Sequence, residues 1–170
     1  MACQLTTGRK LPCKQSVGGL RTVSFAEFGT LGTATISSGN ISALSGTPTF
    51  FKYDLKGATS SLTTNIISSR DTGTTVYEST LELTFTHLDA ATQEEIKLLA
   101  AARPHVVVED NNETSNSLMV GFHQGAEVTA GTDLSGFTLT FTATEAIPPL
   151  FITGSVVTAL QSATQIDPTS

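Results

Sequence analysis

Two runs of strict alternation, a composition rich in Thr and Ser, and a single helical pattern within 170 residues predict a mainly β protein. The expected architecture is an antiparallel β-sandwich or barrel with one short flanking α-helix, an extended N-terminal arm and a C-terminal tail. In the clearest run, Phe137, Leu139, Phe141 and Ala143 alternate with Thr138, Thr140, Thr142 and Thr144. In the second, Tyr77, Leu81, Leu83 and Phe85 oppose Glu78, Thr80, Glu82 and Thr84. Successive side chains of a strand point to opposite faces, so a period of two implies one dry face and one wet face. Threonine, branched at Cβ, suits a half-wet pleated surface.

The remaining elements follow in chain order. Residues 1–19 are polar and punctuated by Gly8, Pro12 and the Gly18–Gly19 pair, and read as an arm. Leu20 to Phe28 is a first strand, with Val23 and Phe25 on one face and Thr22 and Ser24 on the other. Ala34 to Ile36 begins a second, followed by a Ser/Gly/Asn loop from Ser37 to Pro48. Phe50, Phe51, Tyr53 and Leu55 mark a third, and a further strand surrounds Ile66–Ile67. Arg70-Asp71-Thr72-Gly73 is a turn leading into the Tyr77–Phe85 run.

A helix is expected near 92–103. Thr92 and Glu95 have the spacing of a capping box, Ile96, Leu99 and Ala100 form an apolar stripe, and Pro104 stops it. Glu94 and Glu95 would then lie at the positive end of the helix. His105 to Glu109 and Leu118 to Phe122 form a hairpin across a polar turn. Ala130 to Asp133 reads as a loop. Pro148–Pro149 ends the last strand, so 20–149 is read as one domain and 150–170 as a weakly ordered tail.

The net charge is −6 with a pI near 4.9, which disfavours gripping nucleic acid because phosphate binding needs clustered Lys and Arg. A negative surface can still line a passage through which DNA slides. Neither a signal peptide nor an apolar run of ~18 residues is read from the chain. For Cys3 and Cys13 a disulfide and two free thiols both remain open, with thiols favoured for a chain assembled in cytosol.

No catalytic constellation, cofactor site or metal site is expected. There is no GxSxG, and His87, His105 and His123 stand far apart in sequence. His105 and His123 could face each other across the hairpin, but a convincing third ligand is missing, and two partly exposed histidines on a sheet face are expected. Glu109 and Asp110, adjacent on a strand, point to opposite faces and would not share a site. Arg9, Lys10 and Lys14 form a small basic cluster suited to phosphate or, at least as well, to an acidic neighbouring subunit. A sugar-binding β module would stack its ligand on aromatics, yet Trp is absent and Tyr is limited to Tyr53 and Tyr77.

Three blocks of residues resemble structural proteins of tailed bacteriophages. They are Met1-Ala2-Cys3-Gln4-Leu5-Thr6 with Gly8-Arg9, Pro12-Cys13-Lys14 and Val17-Gly18-Gly19; Arg103 to Asn111; and Asp133 to Thr140. The nearest role is the tail tube protein. That resemblance implies a β-sandwich or barrel with one flanking helix, hexameric rings that stack into a tube, and sheets that join into a continuous inner barrel. It implies a homo-oligomer in the virion, assembled in host cytoplasm beside other tail or neck proteins, with DNA passing through unbound and no membrane partner. Glu78 and Glu82 are then the expected lumen-facing acids, and Arg9, Lys10 and Lys14 the inter-subunit arm contacts. The arm and the Pro-Pro tail are not general tube features. A neck or head–tail adaptor ring and a capsid decoration protein are the alternatives.

Overall fold

The computed structural model describes residues 8–9, 18–55, 59–86, 89–111, 117–133 and 136–162. The chain is mainly β, with two sheets and two helices among these residues. Strands β1 (Leu20–Ala26), β2 (Ala34–Ser37), β3 (Asn40–Leu44) and β4 (Phe51–Asp54) come first. They are followed by β5 (Ser61–Ser69), β6 (Thr74–Thr86) and helix α1 (Ala90–Ala101). After the helix come β7 (His105–Asp110), β8 (Ser117–Val120), β9 (Glu127–Asp133), β10 (Gly136–Glu145), β11 (Leu150–Ile152) and α2 (Gly154–Leu160).

The larger sheet has seven strands in the order β2-β3-β11-β8-β7-β1-β4, and the smaller has four in the order β5-β6-β10-β9. All pairings are antiparallel except β11 with β3. One core lies between the sheets, where Val23, Phe25, Val106 and Val108 meet Leu81, Leu83, Phe137, Leu139 and Phe141, with Ile96 of α1 beside them. Phe25 stacks on Phe141 at 5.0 Å between ring centroids and meets Tyr53 edge-on at 5.3 Å. A second core covers the other face of the large sheet, where Val107, Met119, Ile41, Leu150 and Ile152 pack with Phe50 and Val157.

Several expectations are corrected. The tail is folded through Ser162: β11 lies between β3 and β8, and Val157 of α2 is fully buried. Three apolar residues suffice for β11 because it is an internal strand with a partner on each side. The Ser37–Pro48 loop contains β3, whose Ile41 is buried in the second core. The segment from Ala130 to Asp133 belongs to β9, paired along its length with β10. Thr22 and Ser24 are buried as well as Val23 and Phe25, because β1 is covered on both faces. The Thr22 hydroxyl donates to Glu109 at 2.6 Å, and Gln161 at the end of α2 donates to the Ser24 hydroxyl at 3.5 Å.

Helix α1 starts two residues earlier than its spacing suggested. Asp89 is the N-cap, accepting from the Thr92 backbone N–H at 2.8 Å and from the Thr92 hydroxyl. These bonds hold the Asp89 carboxyl below the usual carboxylate range. Glu94 and Glu95 therefore fall beyond the first turn, where the helix dipole gives them little. Ala100 is exposed, so the buried stripe narrows to Ile96 and half-buried Leu99.

Because β11 and α2 complete the second core, Ile152→Ala should cost about 2–5 kcal/mol of unfolding free energy, read by urea denaturation. A loss under about 0.5 kcal/mol, typical of surface substitutions, would remove the C-terminal segment from the fold's stability.

Candidate assembly surface

The small sheet turns one face to the core and the other to solvent. Register fixes which residues share the wet face: Glu82 lies between Ser61 and Thr140, Thr80 between Thr63 and Thr142, and Glu78 between Asn65 and Thr144. On the far side, Thr142 neighbours Glu127 and Thr140 neighbours Thr129. Glu78 and Glu82 thus sit on one face, four residues apart on β6; Glu82 and Glu127 are exposed and Glu78 is half-buried. None of the four strands contains a Lys or Arg. The face is a ladder of hydroxyls carrying only negative charge.

The edges of this sheet are β5 and β9. Strand β5 is nine residues long, Ser-Leu-Thr-Thr-Asn-Ile-Ile-Ser-Ser, with no charge, no proline and no register shift against β6. Ile66 and Ile67 are 67% and 49% exposed. The apolar pair that marked this strand in the sequence is therefore on the surface. Its position explains why: β10 ends at Glu145 opposite Tyr77, so β5 and β6 continue past it as an isolated hairpin. Arg70 to Gly73 form the turn at its tip, as the sequence suggested. A long, neutral edge with which no other described strand pairs is a template for pairing with another chain.

At the end of the sandwich where β10 finishes there is also an open cleft of about 450 Å³, lined by residues including Phe28, Leu31, Ile36, His105, Phe122 and His123. It brings His105 and His123 together, but not as two exposed sheet histidines. His105 is buried at the head of β7, whereas His123 is exposed in the turn after β8. Nδ1 of His105 donates to the Gly121 carbonyl at 2.7 Å, and Nε2 accepts the Gly29 N–H at 3.1 Å. Burial holds the imidazole below its ordinary pKa, opposed by the Gly121 bond and the Glu145 charge. Glu145 does not act as a ligand beside them: its Oε1 accepts the backbone N–H groups of His123 and Gln124 at 2.6 and 3.2 Å.

Among the described residues no group of three His, Cys, Asp or Glu side chains could hold a metal ion, and no helix is long and apolar enough to cross a membrane. Glu109 is engaged by Thr22 and lies 3.6 Å from the Arg21 guanidinium. Tyr53 packs against the inter-sheet core, and burial followed by the nearby Glu95 charge pushes its hydroxyl up to about 12; it offers no platform for a sugar. Arg9 is exposed. Lys10, Lys14, Cys3, Cys13 and His87 lie outside the described residues. The β5 edge was missed from sequence because its signal is an absence of charge and proline, visible as an edge only once the strand order is known.

No protein-family model matches the chain, and no curated protein or solved structure does either.

Since Ile66 and Ile67 contribute little to either core, Ile66→Ser and Ile67→Ser should each change unfolding free energy by no more than about 0.5 kcal/mol. Phe141→Ala, by contrast, should cost about 3–5 kcal/mol. Urea denaturation of dilute protein measures both, and a large loss at Ile66 or Ile67 would place them in a core instead of on an open edge.

Proposed function

We propose that this chain is a virion structural protein of a tailed bacteriophage, a tail tube subunit whose copies form stacked hexameric rings around a passage for genome DNA. The observation that carries the reading is the four-stranded sheet with an uncharged nine-residue edge and a wet face free of Lys and Arg. The resemblance of the N-terminal, 103–111 and 133–140 blocks to phage structural proteins supplies the setting. Neither an enzymatic role nor a cofactor forms part of the proposal.

The topology suits ring closure. Strand direction alternates across β5, β6, β10 and β9, so β5 and β9 run oppositely. Rotation about an axis roughly along the strands preserves direction. The β9 of one copy therefore meets the β5 of the next antiparallel, and alternation continues unbroken around the ring. The core-facing side of every small sheet is covered by its own large sheet, so the Thr/Glu face points inward. Six copies give roughly 24 strands, and at ~4.8 Å per strand a barrel at least about 37 Å across the backbone. Glu78, Glu82 and Glu127 would then repel phosphate from the wall and keep DNA from adhering.

The arm complements this surface. Residues 1–19 carry Arg9, Lys10 and Lys14 and no acid, a charge of +3 within a chain of −6, so the remainder stands at −9. In the assembly these cations would bind an acidic neighbouring copy. Within the subunit the arm joins β1 at Leu20, while the cleft and projecting hairpin lie toward the other end of that strand. The start of β1 at one end of each copy and a hairpin at the other suit head-to-tail stacking.

Negative-stain electron microscopy across a concentration series tests the proposal. Wild-type protein should form six-fold rings or hollow tubes, and Ile67→Lys, which charges the β5 edge, should abolish them while shifting Tm by no more than about 2 °C. Twelve-fold rings would move the chain to the neck, and persistent wild-type monomers would remove the tube reading. Replacing Arg9, Lys10 and Lys14 together by Gln should weaken assembly at low salt and flatten its salt dependence. Unchanged assembly would free the arm of any role in it.

A further inference from the structure

His105 joins three otherwise separate segments. Its ring bonds Gly29 in the β1–β2 turn and Gly121 at the end of β8, and Phe28 stacks on it at 5.2 Å between centroids, 26° from parallel. Arg103, just before β7, places its guanidinium 5.5 Å from the Phe28 ring centroid. The two ring bonds define one protonation state. A carbonyl only accepts, so Nδ1 carries the proton; a backbone N–H only donates, so Nε2 must be bare. A second proton would set an N–H against the Gly29 N–H, and that bond cannot survive.

The consequences fall on the turn. Gly29 has φ +82° and Phe28 is already 46% exposed, so on this wall of the cleft the Phe28–Gly29 tip of the turn depends on the imidazole and on Arg103, while Leu31, which is buried, and Thr33 are anchored separately through Gly46 and Ser45. The opposite wall is stiffer. A Cβ on Gly125 would lie 2.4 Å from the Arg103 carbonyl, the Ala126 N–H donates to the Pro104 carbonyl at 2.9 Å, and Glu145 ties down His123 and Gln124. The ionisable groups around His105 are Arg103 behind Phe28, Glu27 in the same turn, His123 across the cleft and Glu145 at the end of β10. Of these, Glu145 favours the charged ring, and burial opposes it more strongly.

We infer that His105 is a proton-operated latch: neutral, it clamps the Phe28–Gly29 turn over the cleft, and protonation at Nε2 releases that turn. The latch does not rest on the tube reading. Its sign follows from linkage. The released ring titrates near the ordinary histidine value of ~6.5 and the clamped ring lower. The clamp is therefore fully in force above that value, and the released population rises up to about tenfold per pH unit below it until the clamped form itself titrates.

Hydrogen exchange of the full chain in dilute solution, corrected for the intrinsic pH dependence of exchange, tests this. Amides of residues 28–30 should lose protection by up to about tenfold per pH unit below pH ~6.5, while those of β6 and β10 hold theirs. His123→Gln should behave as wild type, and His105→Gln should show no such pH dependence. Should His105→Gln fail to fold, the wild-type imidazole nitrogen shifts decide instead: the Nδ1–H tautomer is expected at neutral pH, and ring charging must track loss of protection at Gly29. Protection at 28–30 that persists while the ring charges, or the same loss in His105→Gln, overturns the latch.

Discussion

The run Val106-Val107-Val108 cannot be dry unless both faces of its sheet are covered, and most of the architecture follows from that. In a strand, Val106 and Val108 point one way and Val107 the other; here the first two enter the inter-sheet core and the third enters the second core. One cover is the small sheet with α1. On the other face, Phe50 and Val157 of α2 pack with Val107 and Met119 and with Ile41, Leu150 and Ile152 of β3 and β11 in the same sheet. The small sheet spends its apolar face as a lid, so its opposite face has nothing left to bury against. Hydroxyls and carboxylates there are what such a lid requires, and only the absence of cations goes beyond that requirement.

What was legible in the sequence divides along the same line. β6 and β10 were readable because each has one wet face, which writes a period of two into the chain. β7 could be recognised from its valine run, but the burial of Thr22 and Ser24 in β1 could not, because their covers come from Gln161 and Glu109, far away in sequence. β9 carries too few apolar residues to announce itself and β11 is only three residues long; both are held by pairing with neighbours. The start of α1 was displaced because Asp89 and Thr92 are both capping residue types. Asp89 prevails by accepting from both the backbone and the hydroxyl of Thr92.

The buried histidine shows the limit from another side. A histidine between Pro104 and a valine run fits an exposed strand end as well as a buried one. The difference lies in Gly29 and Gly121, distant in sequence, which present one donor and one acceptor at the spacing of the two ring nitrogens. Paired in this way, the ring is a fully satisfied polar group in a dry site, and the burial that lowers its pKa is tolerated only while it stays neutral.

The edges of the two sheets are not treated alike. β2 and β4 are four residues each, and β4 carries Lys52 and Asp54, which lie 3.4 Å apart. Shortness and charge are how monomeric β proteins discourage pairing. β9 has Glu127 and Asp133 at its ends, but β5 has neither device along nine residues. Pairing two copies through one edge would leave the other pair of edges open, and growth would continue. In the ring proposed for this chain, both edges of every copy would be satisfied at once. The same closure would gather every copy's acids on one inner wall, where their mutual repulsion would oppose association. In that ring the neutral β5 edge and its two exposed isoleucines would supply attraction without adding to that charge.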